Sequence, residues 1–188
     1  MNIQELTVGP VATCCYLLSL EGREDCLVID PGAEADRIRE ALNGRRIAAI
    51  LLTHGHFDHI GAVGELMDPG VRLFIHALDA PLLSDPSLNA SLELANVPVT
   101  APEATDRVQE GMTLSLAGLS VQVLHTPGHT RGSVCYRIEE ELFTGDTLFE
   151  HGWGRTDLPG GDEHALFASL RRLIPLAQTI PIHPGHQD

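Results

Sequence analysis

Thr53-His54-Gly55-His56-Phe57-Asp58-His59 gathers three imidazoles and a carboxylate within six residues, directly behind the unbroken apolar run 47–52. Such a run is the pattern of a strand covered on both faces, as in a parallel sheet between helices. Imidazole and carboxylate together suit zinc, iron or manganese. A loop can aim such closely spaced groups at one point where a helix could not. A solvated His-rich turn has no need of four such groups at the end of a buried strand.

Working outward, residues 3–8, 15–20 and 26–29 are short apolar runs separated by Gly9-Pro10 and Glu21-Gly22, which predicts an antiparallel meander. Residues 33–42 place Ile38, Ala41 and Leu42 on one face and stop near Gly44, a surface helix. Beyond the His cluster we expect a helix from near His59 to just before Pro69-Gly70, a strand at 71–75 and a short helix at 77–83. Residues 84–112, broken by Asp85-Pro86, Asn89, Pro98 and Pro102, read as a long covering loop. Strands follow at 119–124, 133–138 and 142–144, then a helix at 163–173 and a strand at 179–182 leading to Pro184-Gly185-His186.

His54, His129, Asp146 and His186 therefore each come shortly after a predicted strand, which is how α/β architectures collect a site. His129 stands in Thr126-Pro127-Gly128-His129-Thr130 and Asp146 in Thr144-Gly145-Asp146-Thr147. Either signal alone is weak; with the first cluster they complete an inventory for two metals.

The bulk properties agree with an enzyme of this kind. At 188 residues, 43% hydrophobic and 20% charged, the chain is expected to fold as a single domain, 1–188. No apolar stretch approaches the ~20 residues that span a bilayer, and no leader pattern opens the chain. The expected place is the cytoplasm, away from membranes. A net charge of −14 repels polyanions and argues against a nucleic-acid partner, although Asp58 and Asp146 contribute to it only while no cation lies between them. The four cysteines form no Cys-x-x-Cys pair, and Cys26 and Cys135 read as small buried hydrophobes. The metal ligands must be His and Asp.

These motifs, with Asp30-Pro31-Gly32, Phe143 to Phe149 and Gly154-Arg155-Thr156-Asp157-Leu158-Pro159-Gly160-Gly161, resemble the metallo-β-lactamase superfamily, and within it the glyoxalase II-like (hydroxyacylglutathione hydrolase-like) branch. The resemblance covers nearly the whole chain. It implies an α/β fold, the four-layer αβ/βα sandwich. It also implies two divalent ions, zinc first with iron or manganese possible: His54, His56 and His129 on one, Asp58, His59 and His186 on the other, and Asp146 bridging. A hydroxide generated between two such ions would attack a small anionic thioester. Asp58 and Asp146 would be the catalytic carboxylates, Asp58 relaying the water proton; Arg155, on the loop after Asp146, reads equally as a contact to a substrate carboxylate or as half of a surface salt bridge. A monomer or homodimer is expected. The larger glyoxalase II enzymes add a C-terminal helical domain with much of the glutathione site, and the family usually continues Pro-Gly-His with Gly-Pro and a Thr, where this sequence has Gln187 and Asp188.

Asp30 reads equally as a turn-former or as an acid orienting a ligand. His76, His125, His151, His164 and His183 lack a motif and read as structural or solvated. The competing enzyme class is a persulfide dioxygenase, with one Fe(II) on His54, His129 and Asp146. A di-iron electron-transfer module lacks its partner domain here, and β-lactam hydrolysis is disfavoured by the bridging Asp146.

Overall fold

A computed structural model describes residues 1–187. Among these residues the first half of the chain supplies one sheet, hydrogen-bonded in chain order: β1 (Asn2–Val8), β2 (Thr13–Ser19), β3 (Asp25–Ile29), β4 (Arg46–Leu51), β5 (Arg72–His76) and β6 (Asp106–Val108). β1 to β3 pair antiparallel, as the meander predicts. From β3 onward the pairing is parallel, which requires a crossover for each step. Helix α1 (Ala35–Leu42) makes the first, and two short helices, α2 (Phe57–Ile60) and α3 (Val63–Leu66), lie in the second. α1 stops where Asn43 and Gly44 take left-handed backbone, φ 51° and 80°. The second sheet runs β11 (Ile182–Pro184), β10 (Glu141–Gly145), β9 (Val134–Ile138), β8 (Leu119–His125) and β7 (Thr113–Leu116). Helix α4 (Glu163–Ala177), capped by the Asp162 side chain on the Ala165 N–H, carries the chain from β10 to its parallel neighbour β11.

The period of two along each strand sorts the core into three layers. Tyr16 and Leu18 of β2, Leu27 and Ile29 of β3, and Leu51 of β4 face the other sheet, where they meet Val121, Val123, Tyr136 and Phe143. Their sequence neighbours Cys15, Leu17, Cys26, Val28 and Ile50 face outward under Ile38 and Leu42 of α1 and Leu66 of α3. Cys135 and Leu142 face outward from the second sheet under Leu166, Leu170 and Leu173 of α4. Helix, sheet, sheet, helix: the four-layer sandwich is the observed architecture. All four cysteines are buried and free. No helix among the described residues is long and apolar enough to cross a membrane.

Several elements differ from the sequence expectation. The predicted helix after His59 is two separate turns, α2 and α3, and the short helix at 77–83 is a 3-10 turn, Ala80–Leu83. The segment expected as one covering loop contains a widened helical turn at Ser91–Ala95 and the strand β6, and β7 follows directly after it. β6 and β7 are edge strands of three and four residues, too short to show a periodic pattern. α4 runs past Leu173 through Pro175. Pro175 is exposed in the last turn, where water can take the carbonyl that the missing N–H leaves free. The final strand lies at Ile182–Pro184, later than expected.

Candidate metal centre

The ends of both sheets converge on one point. β4 leads to His54 and His56, and α2 carries Asp58 and His59. β8 leads through Pro127-Gly128 to His129, β10 to Asp146 and β11 to His186. All seven residues marked in the sequence are brought together. The ligand atoms of His54, His56 and His129 lie within 4.8 Å of one another, as do those of Asp58, His59 and His186. His56 Nδ1 and His129 Nε2 approach to 2.8 Å.

Asp146 stands between the two sets. Its Oδ1 is 3.4 Å from His59 Nε2, and its Oδ2 is 3.5 Å from both His129 Nε2 and His186 Nε2. Asp58 Oδ2 is 3.4 Å from His59 Nε2 and 3.2 Å from His186 Nε2. His54 Nε2, His59 Nε2 and Asp146 Oδ1 are buried with no hydrogen-bond partner. Buried polar atoms are rarely left so, and here the orphans sit at the convergence of the two sets. The donor set and its orphaned atoms fit divalent cations.

A further shell of contacts fixes which ring nitrogen faces inward. Asp30, in left-handed backbone at φ 49°, accepts the Thr53 N–H at 2.8 Å, the Thr53 hydroxyl at 2.6 Å and His59 Nδ1–H at 3.0 Å. With its proton given to Asp30, Thr53 Oγ1 can accept His54 Nδ1–H at 3.1 Å. Both rings then keep the Nε2 lone pair for a metal. His129 Nδ1 donates to the Arg155 carbonyl at 2.7 Å and His186 Nδ1 to the Val11 carbonyl at 3.1 Å. Thr13 Oγ1 donates to Asp58 Oδ2 at 2.9 Å. Of the two roles open to Asp30, the contacts are those of an orienting acid.

The sequence reading missed Asp79. It is buried and accepts Gly55 N–H at 3.1 Å, Thr130 Oγ1–H at 2.7 Å and Gly132 N–H at 2.7 Å. It therefore ties the loop of His54 and His56 to the loop of His129. As a lone acid outside any motif, it carried no sequence signal. Gly185 belongs to the same frame: a Cβ there would collide with Asp146 Oδ1 and the His59 ring.

The electrostatics are those of a pocket made for positive charge. Burial, reinforced by His59 and His129, drives His54 well below the usual histidine value, and burial with His129 takes His56 to about 3, so both rings are neutral donors. Burial opposes a proton on His59 too, but Asp58, Asp146 and Asp30 overcome it and hold the ring well above the usual value. Against burial, the hydrogen bonds that His186 donates to Asp146 and Asp58 raise its pKa to about 9. Asp58 and Asp146 resist their own burial and stay well below the carboxylate range beside His59 and His186.

The centre opens into a cleft of about 170 Å³ walled by Phe57, Ala90, Leu94 and Leu158, with Arg155 at its side. The Arg155 side chain is 51% exposed, and its guanidinium is held by Asp157 through contacts of 2.6 and 2.7 Å. It is thus both a cleft residue and one half of a surface ion pair. His76 and His125 stack on each other at 4.1 Å, and His183 stacks on Phe143 and pairs with Glu141, all structural roles.

A sequence profile of the Metallo-beta-lactamase superfamily matches residues 8–186. The chain belongs to that superfamily. It is 37% identical to the hydroxyacylglutathione hydrolase GloC of Haemophilus influenzae, over 99% of this chain and 91% of the relative. Among solved structures it is similar to the B3 metallo-beta-lactamase BLEG-1, with TM-score 0.93, 36% identity, and coverage of 100% of this chain and 92% of the other. It is also similar to TTHA1623 in a di-iron-bound form, with TM-score 0.82, 38% identity, and coverage of 98% and 92%. Family and ligand clusters together make the protein a metal-dependent hydrolase.

Proposed function

We propose that the protein is a binuclear hydrolase of small thioesters of the hydroxyacylglutathione type. The observation that carries this reading is the position of Asp146 between the ligand sets, its Oδ2 3.5 Å from both His129 Nε2 of the first and His186 Nε2 of the second and its Oδ1 3.4 Å from His59 Nε2. His54, His56 and His129 would hold one cation, Asp58, His59 and His186 the other, with Asp146 shared. Two divalent cations, zinc first with iron or manganese as alternatives, would supply Lewis acidity and a water of lowered pKa. Asp58, steadied by Thr13 Oγ1, would take the proton from that water. The apolar wall of Phe57, Ala90, Leu94 and Leu158 keeps bulk water from the thioester. A thiolate leaves readily, so little general-acid help is needed from the chain. Arg155, its charge offset by Asp157, would offer a small anionic substrate the donors that this pair leaves free. The four unpaired buried thiols suit a reducing cytoplasm.

The complete second set favours this reading over one Fe(II) on His54, His129 and Asp146. The test is metal analysis of protein purified without chelators, followed by a thioester panel headed by S-lactoylglutathione, with a glutathione persulfide and a β-lactam as controls. Two metal equivalents with thioester cleavage are expected. One iron with oxygen uptake on the persulfide, or cleavage of the β-lactam alone, would overturn the proposal.

A further inference from the structure

Every one of the 12 basic residues of this chain is arginine. Among the described residues, eight of them lie within 4 Å of a carboxylate. Arg45 and Arg46, adjacent at the start of β4, are two that do not. In a chain of charge −14 carboxylates are plentiful, so two neighbouring guanidiniums without one stand out.

Both line a cavity of about 510 Å³ with Arg39. The metal cleft measures about 170 Å³. The cavity lies at the beginning of β4, whose other end delivers His54. Eight residues of extended chain separate Arg46 from His54, roughly 26 Å. Arg45 Nε is buried and has no partner, and the Arg45 Nη1 contact to the Leu42 carbonyl is long, at 3.3 Å. Arg46 is exposed. The nearby Asp25 is already engaged by Arg23 through contacts of 2.7 and 2.9 Å. Arg39 gives one donor to the Glu65 carbonyl and reaches Asp36 only at 3.5 Å. Asp68 is the acid on the wall; Leu42, Ile47, Leu66 and Val71 supply apolar surface.

We propose that this cavity is a second binding site, for a phosphate-bearing small molecule held by Arg45 and Arg46. A guanidinium presents a planar fork of donors that matches phosphate oxygens two at a time, and the free donors of two guanidiniums lining one cavity can serve the two ends of a diphosphate. The volume lies within the ~300–1,000 Å³ of small-molecule sites, and the apolar surface can receive an organic group beyond the phosphates. An acidic protein attracts an anion only where positive charge is locally uncompensated, which is the condition here.

The test is calorimetric titration of the metal-loaded protein with pyrophosphate, ADP and adenosine at low and high salt. Pyrophosphate and ADP should bind, adenosine should not, and added salt should weaken both. Tighter binding of ADP marks an organic phosphate as the ligand, and equal binding a free one. Arg46→Gln, on an exposed side chain, should weaken binding about tenfold or more, the scale of one lost charge-assisted contact. Arg45→Gln should do the same. Binding that persists unchanged in both variants would place the phosphates on the metals and overturn the proposal. So would adenosine binding as well as ADP, or no binding of either anion at millimolar concentration.

Discussion

Asp30→Asn tests whether one carboxylate sets the metal-binding form of two histidines. The substitution keeps volume, and asparagine tolerates the left-handed backbone at φ 49° at least as well as aspartate, so the turn is unstrained. The amide oxygen can still accept the Thr53 N–H, now at 2.8 Å. The amide nitrogen then replaces the oxygen that accepts His59 Nδ1–H at 3.0 Å and Thr53 Oγ1–H at 2.6 Å. Two donors would face each other, and His59 relieves this by moving its proton to Nε2, the atom that must ligate. Thr53 relieves it by turning its own proton toward His54 Nδ1, forcing the same change there. Loss of such an orienting contact costs about 10- to 100-fold in metal affinity, or about 1.4–2.7 kcal/mol. Stability of the stripped protein should fall by about 1–3 kcal/mol for the frustrated buried donor. Chelator competition at neutral pH reads the first quantity and denaturant unfolding the second. If Asp30→Asn binds two equivalents with parental affinity, the ring protons are not set by Asp30 and the tautomer argument fails.

Asp146→Ala should lose both metals, since its two oxygens serve both sets; elemental analysis showing two retained equivalents would rule out bridging. His186→Ala should keep metal in the first set, lose the second and slow hydrolysis, whereas parental turnover would show that the second cation is not catalytic. Arg155→Ala should raise KM for S-lactoylglutathione with little change in kcat. An unchanged KM with fold and metals intact would leave Arg155 as the partner of Asp157 alone. Burial, with the stacked His125, lowers His76 to about 4, so as pH falls below 6.5 the unfolded chain takes this proton first. The stability His76 contributes is therefore complete above pH 6.5 and is lost toward pH 4. Between pH 7 and pH 5, denaturant midpoints should drop more for the parent than for His76→Phe, and parallel drops would remove His76 as the cause.

The ligands were legible because loop residues that bind metal need unusual side chains at close spacing, and no packing demand imitates His54 to His59. Strands were legible where an apolar run is long enough to stand out, as in β2, β3 and β4, and the sandwich through the family resemblance that the motifs carry. β6 and β7 were not, because their pairing is decided by neighbours distant in sequence. Asp79 was invisible for a related reason: its three donors come from residues 55, 130 and 132. Arg155 showed its place beside Asp146 with substrate contact and surface ion pair both open, but not that Asp157, two residues on, is its partner.

The two ligand sets do not belong to separate halves of the chain. His54 and His56 leave the first sheet and share their cation with His129 of the second, while Asp58 and His59 share theirs with His186, so each ion would be a rivet through the seam. A chain with four thiols and no disulfide would thereby gain cross-links between segments some 75 to 130 residues apart, removable by a chelator. Because cations bound only to the folded form add their binding free energy to its stability, resistance to unfolding would report how well the cell supplies the metal.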